Sequence, residues 1–207
     1  MIVKLLSWTR RPELVCVASM RSTRTLESAA TLIEEGFDLE RVAKMIETAK
    51  KLKHWGVFEH AVFTVSVEGV SRALTHQLVR HRVASYLQQS QRAVKIDTKS
   101  EWYVIPHTIA NNPEALATFR AGREFEAEEY NIHVAAGIPE EDARFVLPNA
   151  CKTNIVITMN ARSWLHFFKL RLDSHAQWEI REMAKAIFNI LYGVSPMIFA
   201  GAEELDV

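Results

Sequence analysis

Between residues 80 and 92 the chain reads Arg80-His81-Arg82-Val83-Ala84-Ser85-Tyr86-Leu87-Gln88-Gln89-Ser90-Gln91-Arg92, which crowds three arginines, a histidine and two serine hydroxyls together without a carboxylate. The acid-free stretch runs from Gly69 to Ile96, between Glu68 and Asp97, and adds Arg72 and Lys95. Arginines with no neighbouring acid to neutralise them favour phosphate, which the planar guanidinium grips through two parallel hydrogen bonds. Serine hydroxyls and backbone amides in a turn add donors that need no counter-charge. The chemistry written into this segment is anion capture.

Other chemistries lack their residues. Ser90 has no Gly-x-Ser-x-Gly elbow around it and no base at a fixed spacing, so it is read as a phosphate donor and not a nucleophile. Cys16 lies inside Leu14-Val15-Cys16-Val17-Ala18 and Cys151 abuts an apolar strand; both are read as packing residues. Eight histidines invite a metal reading, yet His54, Glu59 and His60 do not have the His-Glu-x-x-His spacing that puts ligands on one helix face, so no metal site is expected. The chain thus offers no obvious covalent nucleophile.

The spacing Arg-His-Arg, two residues, Ser, four residues, Ser, one residue, Arg resembles the signature of the flavin-dependent thymidylate synthases. Asn160-Ala161-Arg162-Ser163 followed by Leu170-Arg171-Leu172-Asp173-Ser174-His175-Ala176-Gln177-Trp178-Glu179 is similar to that family's C-terminal motif, and His54-Trp55-Gly56-Val57-Phe58-Glu59-His60 is similar to its His-to-Glu-His stretch. Together these blocks span roughly residues 50 to 180. The chain departs from the pattern where Ala93 stands for an aromatic residue, Leu87 for Asn, Gly56 for Ser or Thr, and Val57 for Pro; Ala93 can neither stack nor donate a hydrogen bond.

The resemblance implies an FAD-dependent enzyme that makes dTMP from dUMP, with methylenetetrahydrofolate as carbon donor and NADPH as reductant. It implies that Gln77, Leu78, Val79 and Arg80 face the nucleotide, and that Gln88, Gln89, Ser90, Gln91 and Arg92 wrap its phosphate and uracil. It implies FAD contacts from Arg80, His81, Arg82, Gln88, Asn160, Ala161, Arg162 and His166, with His54 and Gly56 near the flavin and folate. Arg144 matches an arginine that holds dUMP, although on residue type alone a surface helix arginine fits as well. Arg171 matches the residue that polarises the uracil, where an ion pair with Asp173 or Glu179 is the ordinary alternative. The family is tetrameric, so a homotetramer with active sites shared between subunits is expected.

These residues need elements to position them. Ile2 to Trp8 and Leu14 to Ala18 are apolar runs parted by Thr9-Arg10-Arg11-Pro12, which reads as strand, turn and strand. A helix opens at Thr25-Leu26-Glu27-Ser28 and stops at Gly36, and Asp38 caps a second that ends near His54. Phe63, Val65 and Val67 alternate with polar residues as a half-buried strand does. Val70, Leu74 and Leu78 then recur at helical spacing, carrying Gln77 and Arg80 toward one face, and the basic signature begins where that helix ends. A long helix from Pro113 to Ala135, a short one from Glu140, a strand at Ile155 to Met159 and helices near 161–172 and 176–192 complete the chain. Strands and helices without a βαβ rhythm predict a single α+β domain over residues 1–207, helices packed on a mostly antiparallel sheet.

At 207 residues, 48% hydrophobic and 24% charged, the chain can bury a core. Its formal net charge of zero disfavours nucleic acid or anionic membrane as a bulk-charge partner, so any anion site is local. The rival reading is a single-stranded nucleic-acid module that uses the basic patch from Arg80 to Lys95 with Tyr86 for stacking. Two lone cysteines fit a reduced, cytoplasmic protein, and neither a basic leader before an apolar run nor a run near the ~18 residues of a membrane span is found.

Overall fold

The computed structural model describes residues 1–202. The chain runs β1 (Ile2–Trp8), α1 (Pro12–Ser22), α2 (Ala29–Glu35), α3 (Leu39–Lys51), a 3₁₀ helix (Trp55–His60), β2 (Val62–Ser71), α4 (Arg72–Leu78) and β3 (Ser85–Gln88). It continues through α5 (His107–Ala110), α6 (Pro113–Ala135), α7 (Glu140–Ala143), a 3₁₀ turn (Arg144–Val146), β4 (Lys152–Asn160), α8 (Ala161–Arg171), α9 (Trp178–Val194) and α10 (Pro196–Phe199). The strands form one antiparallel sheet in the order β1-β2-β4-β3, the expected α+β class. Among the described residues no helix is long and apolar enough to cross a membrane.

The sheet register is fixed by paired groups at both ends of β2. Thr9 N–H donates to the Val62 carbonyl at 2.9 Å, and the hydroxyls of Thr64 on β2 and Thr158 on β4 lie 3.0 Å apart. Gly69 sits at φ +73°, which a glycine adopts without Cβ cost, and its N–H donates to Asn154 Oδ1 at 3.1 Å. Ser71 then ends the strand and caps α4, its Oγ accepting from Leu74 N–H at 3.0 Å.

Three expectations need correction. Leu14 to Ala18 is helical, within α1. A five-residue apolar run cannot by itself separate a strand from a buried helix, and here Pro12 at the first helical position, with Glu13 in the first turn, starts a helix that nothing breaks before Ser22. The helix expected from Thr25 begins at Ala29, because Ser28 is its cap, accepting from Thr31 N–H at 3.1 Å. Val70 belongs to β2, and α4 ends at Leu78, so Arg80 lies past the helix and shares no helical face with Gln77. Inside the basic signature, Ser85–Gln88 forms a strand, an element not foreseen, since pairing beside β4 satisfies its backbone, and the turn follows from residue 91.

Asp38 does cap α3, its carboxylate accepting from Arg41 N–H at 2.8 Å. At the other end Lys53 takes φ +56°, with Lys53 N–H on the Lys50 carbonyl and His54 N–H on the Ala49 carbonyl. This is a Schellman closure with lysine in the place glycine prefers. It throws His54 clear of the helix. Lys53→Gly is expected to raise the unfolding free energy by about 0.5–1 kcal/mol, because the left-handed conformation costs an L side chain more than it costs glycine. A shift of the urea midpoint to higher concentration at constant slope checks this.

The described chain divides into two compact units. The first comprises residues 1–67, 79–86 and those from 156 onward. Its core is aromatic: Trp164 stacks on Phe168 at 5.7 Å, and Phe199 meets Phe63 and Phe168 edge-on at 5.3 and 5.8 Å. The second comprises residues 68–78 and 87–155. Its core holds Tyr130, whose hydroxyl accepts from Ile96 N–H at 3.2 Å, with Trp102, Leu74 and Cys151.

Candidate active site

In the first unit, Asn160 ends β4 and caps α8, its Oδ1 accepting from Ser163 N–H at 2.9 Å. Ala161 N–H donates to the Ala61 carbonyl at 2.7 Å, which ties the start of α8 to the segment after the 3₁₀ helix. That tie brings Arg162 against Glu59, Nη1 to Oε1 2.6 Å, both side chains half exposed. His166 follows Arg162 by one helical turn, and its ring lies 5.5 Å from that of His81. Glu59, His81, Val83, Asn160, Arg162, Ser163 and His166 line a cavity of about 440 Å³, a size typical of ligand pockets.

His81 is the electrostatic centre of this wall. Burial, then His166 and Arg171, push its pKa down to about 4, against a backbone hydrogen bond with Ser163. It is therefore neutral near pH 7. Its Nε2 is buried with no hydrogen-bond partner, and so is Nε of Arg171 at the end of α8. An unmet buried polar atom typically costs about 1–3 kcal/mol, so that of His81, a residue lining the cavity, reads as a place for ligand. Tyr86 donates its O–H to the His81 carbonyl at 2.8 Å, and burial raises its pKa to about 12 in spite of Arg171.

The depressed pKa has a stability consequence. Below pH 6.5 the unfolded chain protonates this histidine while the folded chain resists until about pH 4, so stability present above pH 6.5 is lost as the pH falls between those values. The loss from this one group is on the order of 3 kcal/mol. Urea unfolding between pH 7 and pH 4.5 should show it, and His81→Gln should flatten that part of the profile.

The expected flavin contacts separate. His81, Asn160, Arg162 and His166 share the cavity above, whereas His54 and Gly56 line a different one of about 280 Å³. Ala161 is fully buried and offers only backbone, and Arg80 and Arg82 are exposed. Asp173, one of the two acids an ion-paired Arg171 could use, instead accepts from His175 N–H at 2.7 Å, with His175 Nδ1 at 2.8 Å. Val79 is exposed in this unit.

The second unit holds the rest. Gln77 is half-buried on α4, and the Leu78 side chain is in the core. Gln88 Nε2 donates to the hydroxyls of Thr75 and Thr153 at 3.1 and 3.2 Å, and buried Gln91 donates Nε2 to Cys151 Sγ at 3.3 Å. Both amides thus brace the signature segment, leaving exposed Gln89, Ser90 and Arg92 as its outer face. Ser90 Oγ accepts from Arg92 N–H at 3.2 Å. Arg144 donates Nε to the Glu141 carbonyl at 3.0 Å.

Several participants were missed by sequence reasoning. Arg72 donates Nη2 to the Gln89 carbonyl at 2.9 Å while its buried Nε has no partner, and burial together with nearby Arg144 pulls its pKa down against Cys151. Arg72 thus keeps an unmet buried donor within electrostatic reach of a second guanidinium, that of Arg144. The signal was available, since Arg72 lies in the acid-free stretch. Glu59 was inside a quoted motif, but nothing in spacing alone pairs it with Arg162, 103 residues away. Among the described residues no three His, Cys, Asp or Glu side chains are grouped to hold a metal.

The family model described as thymidylate synthase complementing protein matches residues 4–197. The flavin-dependent thymidylate synthase of Geobacter sulfurreducens is 44% identical over 170 residues, 82% of this chain and 73% of that protein. That of Sulfurisphaera tokodaii is 42% identical over 202 residues, 96% of this chain and 76% of its own. The crystal structure of the UMP/dUMP methylase PolB from Streptomyces cacaoi, bound with 5-Br dUMP, superposes with TM-score 0.84 at 23% identity, covering 96% of this chain and 93% of that one; at that identity the likeness is one of fold. With the family model matching residues 4–197 of this chain and two relatives above 40% identity over most of it, this chain is an enzyme of the flavin-dependent thymidylate synthase family.

Proposed function

We propose that this chain converts dUMP to dTMP with FAD as bound cofactor, methylenetetrahydrofolate as carbon donor and NADPH as reductant, acting in the cytoplasm as a homotetramer whose active sites are shared between subunits. In the overall change a one-carbon unit from the folate replaces a ring hydrogen of uracil and is reduced to methyl by two electrons from NADPH. The products are dTMP, tetrahydrofolate and NADP⁺.

The observation that carries this reading is the unpartnered, buried Nε2 of His81 at a cavity lined also by Asn160, Arg162 and His166, the residues matched to flavin contacts. These residues fit such a group. Neutral His81 can exchange a hydrogen bond without adding charge, and Arg162, oriented through Nη1 by Glu59, has further guanidinium N–H donors to offer such a group. Bound, the flavin supplies the hydride. Arg92 and Arg144 hold the dUMP phosphate with Gln89 and Ser90 as neutral donors, Gln77 and Arg80 face the nucleotide, and Arg171 stabilises negative charge on the uracil ring. Arg144 and Arg171 act on a nucleotide held by another chain's signature segment.

FAD is expected to copurify at up to one per chain. The absorbance spectrum of the purified protein should show oxidised flavin, and mixing with dUMP, methylenetetrahydrofolate and NADPH should yield dTMP. A folded, colourless protein that also refuses added FAD would overturn the reading.

A further inference from the structure

The first unit contains another cavity, of about 480 Å³, that the proposed chemistry leaves without a ligand. Arg21 at the end of α1 and Arg24 just beyond it stand on one wall; Arg41 and Lys44, one turn apart on α3, stand on the other. No carboxylate lines it. Among the described residues none of the four cations has an ion-pair partner, and Arg41 is held over the Phe37 ring at 5.2 Å. Cations gathered around a concave space concentrate positive potential there and call for an anion.

The rest of the lining is not that of a bare phosphate site. Met20, Met45 and Leu52 give it an adaptable apolar surface suited to a flat or elongated organic group. His54, thrown clear of α3 by the Lys53 turn, completes it. The 280 Å³ cavity that contains Gly56 shares Met20, Arg24 and His54, so the two have a common wall. A ring lying beside His54 and Gly56 can extend a charged end along Met20 and Arg24 to the four cations.

We propose that this cavity receives the multiply anionic end of a heteroaromatic cosubstrate, and that it sets affinity for that end and not for FAD or dUMP. This rests on the reaction proposed above, which supplies two molecules of that chemistry: a folate with its glutamyl carboxylates and a nicotinamide nucleotide with its phosphates.

The test uses the intact enzyme loaded with FAD and dUMP. Arg41→Gln/Lys44→Gln removes both cations of α3, and Arg21→Gln/Arg24→Gln independently removes those of the other wall. Calorimetric titration compares tetrahydrofolyl monoglutamate with the triglutamate, and NADPH with NADH. If the carboxylate tail is the occupant, each variant loses about tenfold or more for the triglutamate and little for the monoglutamate. If phosphate is the occupant, the loss falls on NADPH, with folate affinity kept. Unchanged affinity for all four probes in a variant that still binds FAD and dUMP overturns the proposal, as does loss of FAD itself. A wild-type protein that binds neither FAD nor dUMP overturns the reaction and the cavity assignment together, an outcome distinct from failure of the cavity alone.

Discussion

Arg171→Lys is expected to lower turnover of the assembled, flavin-loaded enzyme by ~100–1000-fold while changing dUMP affinity far less. Arg171 ends α8 with a buried, unpartnered Nε, and it lies close enough to His81 and Tyr86 to bias both. Lysine keeps the charge but replaces a planar fork of donors by a point charge. At a ring that becomes electron-rich during transfer, the directed donors matter most in the transition state. Removing such an interaction lowers turnover, whereas removing uniform binding mainly raises the Michaelis constant. Single-turnover oxidation of the reduced flavin with dUMP and methylenetetrahydrofolate separates chemistry from product release. A rate near wild type with merely weaker dUMP binding would make Arg171 a binding residue only.

Arg92→Ala should separate the two ligands. Loss of one charge-assisted contact to phosphate costs ~1.5–3 kcal/mol, about 10–150-fold in dUMP affinity. FAD affinity should stay nearly constant, because the matched pattern assigns Arg92 to the substrate, and the matched flavin residues His81, Asn160, Arg162 and His166 line a cavity that Arg92 does not. The fold should tolerate the change, since Gln88 and Gln91, and not Arg92, brace that segment through Thr75, Thr153 and Cys151. Equal losses for both ligands in calorimetric titration would remove Arg92 from this role.

By itself the sequence determined what local physics decides. Asp38 before an amphipathic stretch capped a helix, Pro113 to Gly137 bounded α6, and alternation from Phe63 to Val67 made a strand, because capping, ring closure and side-chain period act within a few residues. The motif residues likewise carried the family. Leu14 to Ala18 resisted such reading because a short apolar run is compatible with either period, and Pro12 settled it. What only the tertiary structure decided was partnership. Gln91, matched to substrate, donates its amide to Cys151, and Arg72, absent from every matched position, holds the Gln89 carbonyl. Arg162 found Glu59 across 103 residues, and His81 lost its charge to burial beside His166 and Arg171. Arg21 and Arg24 became neighbours of Arg41 and Lys44 only when α1 packed against α3. Hydrogen bonds, desolvation and charge–charge terms depend on which groups meet in space and how much water they exclude, and chain order alone carries neither quantity.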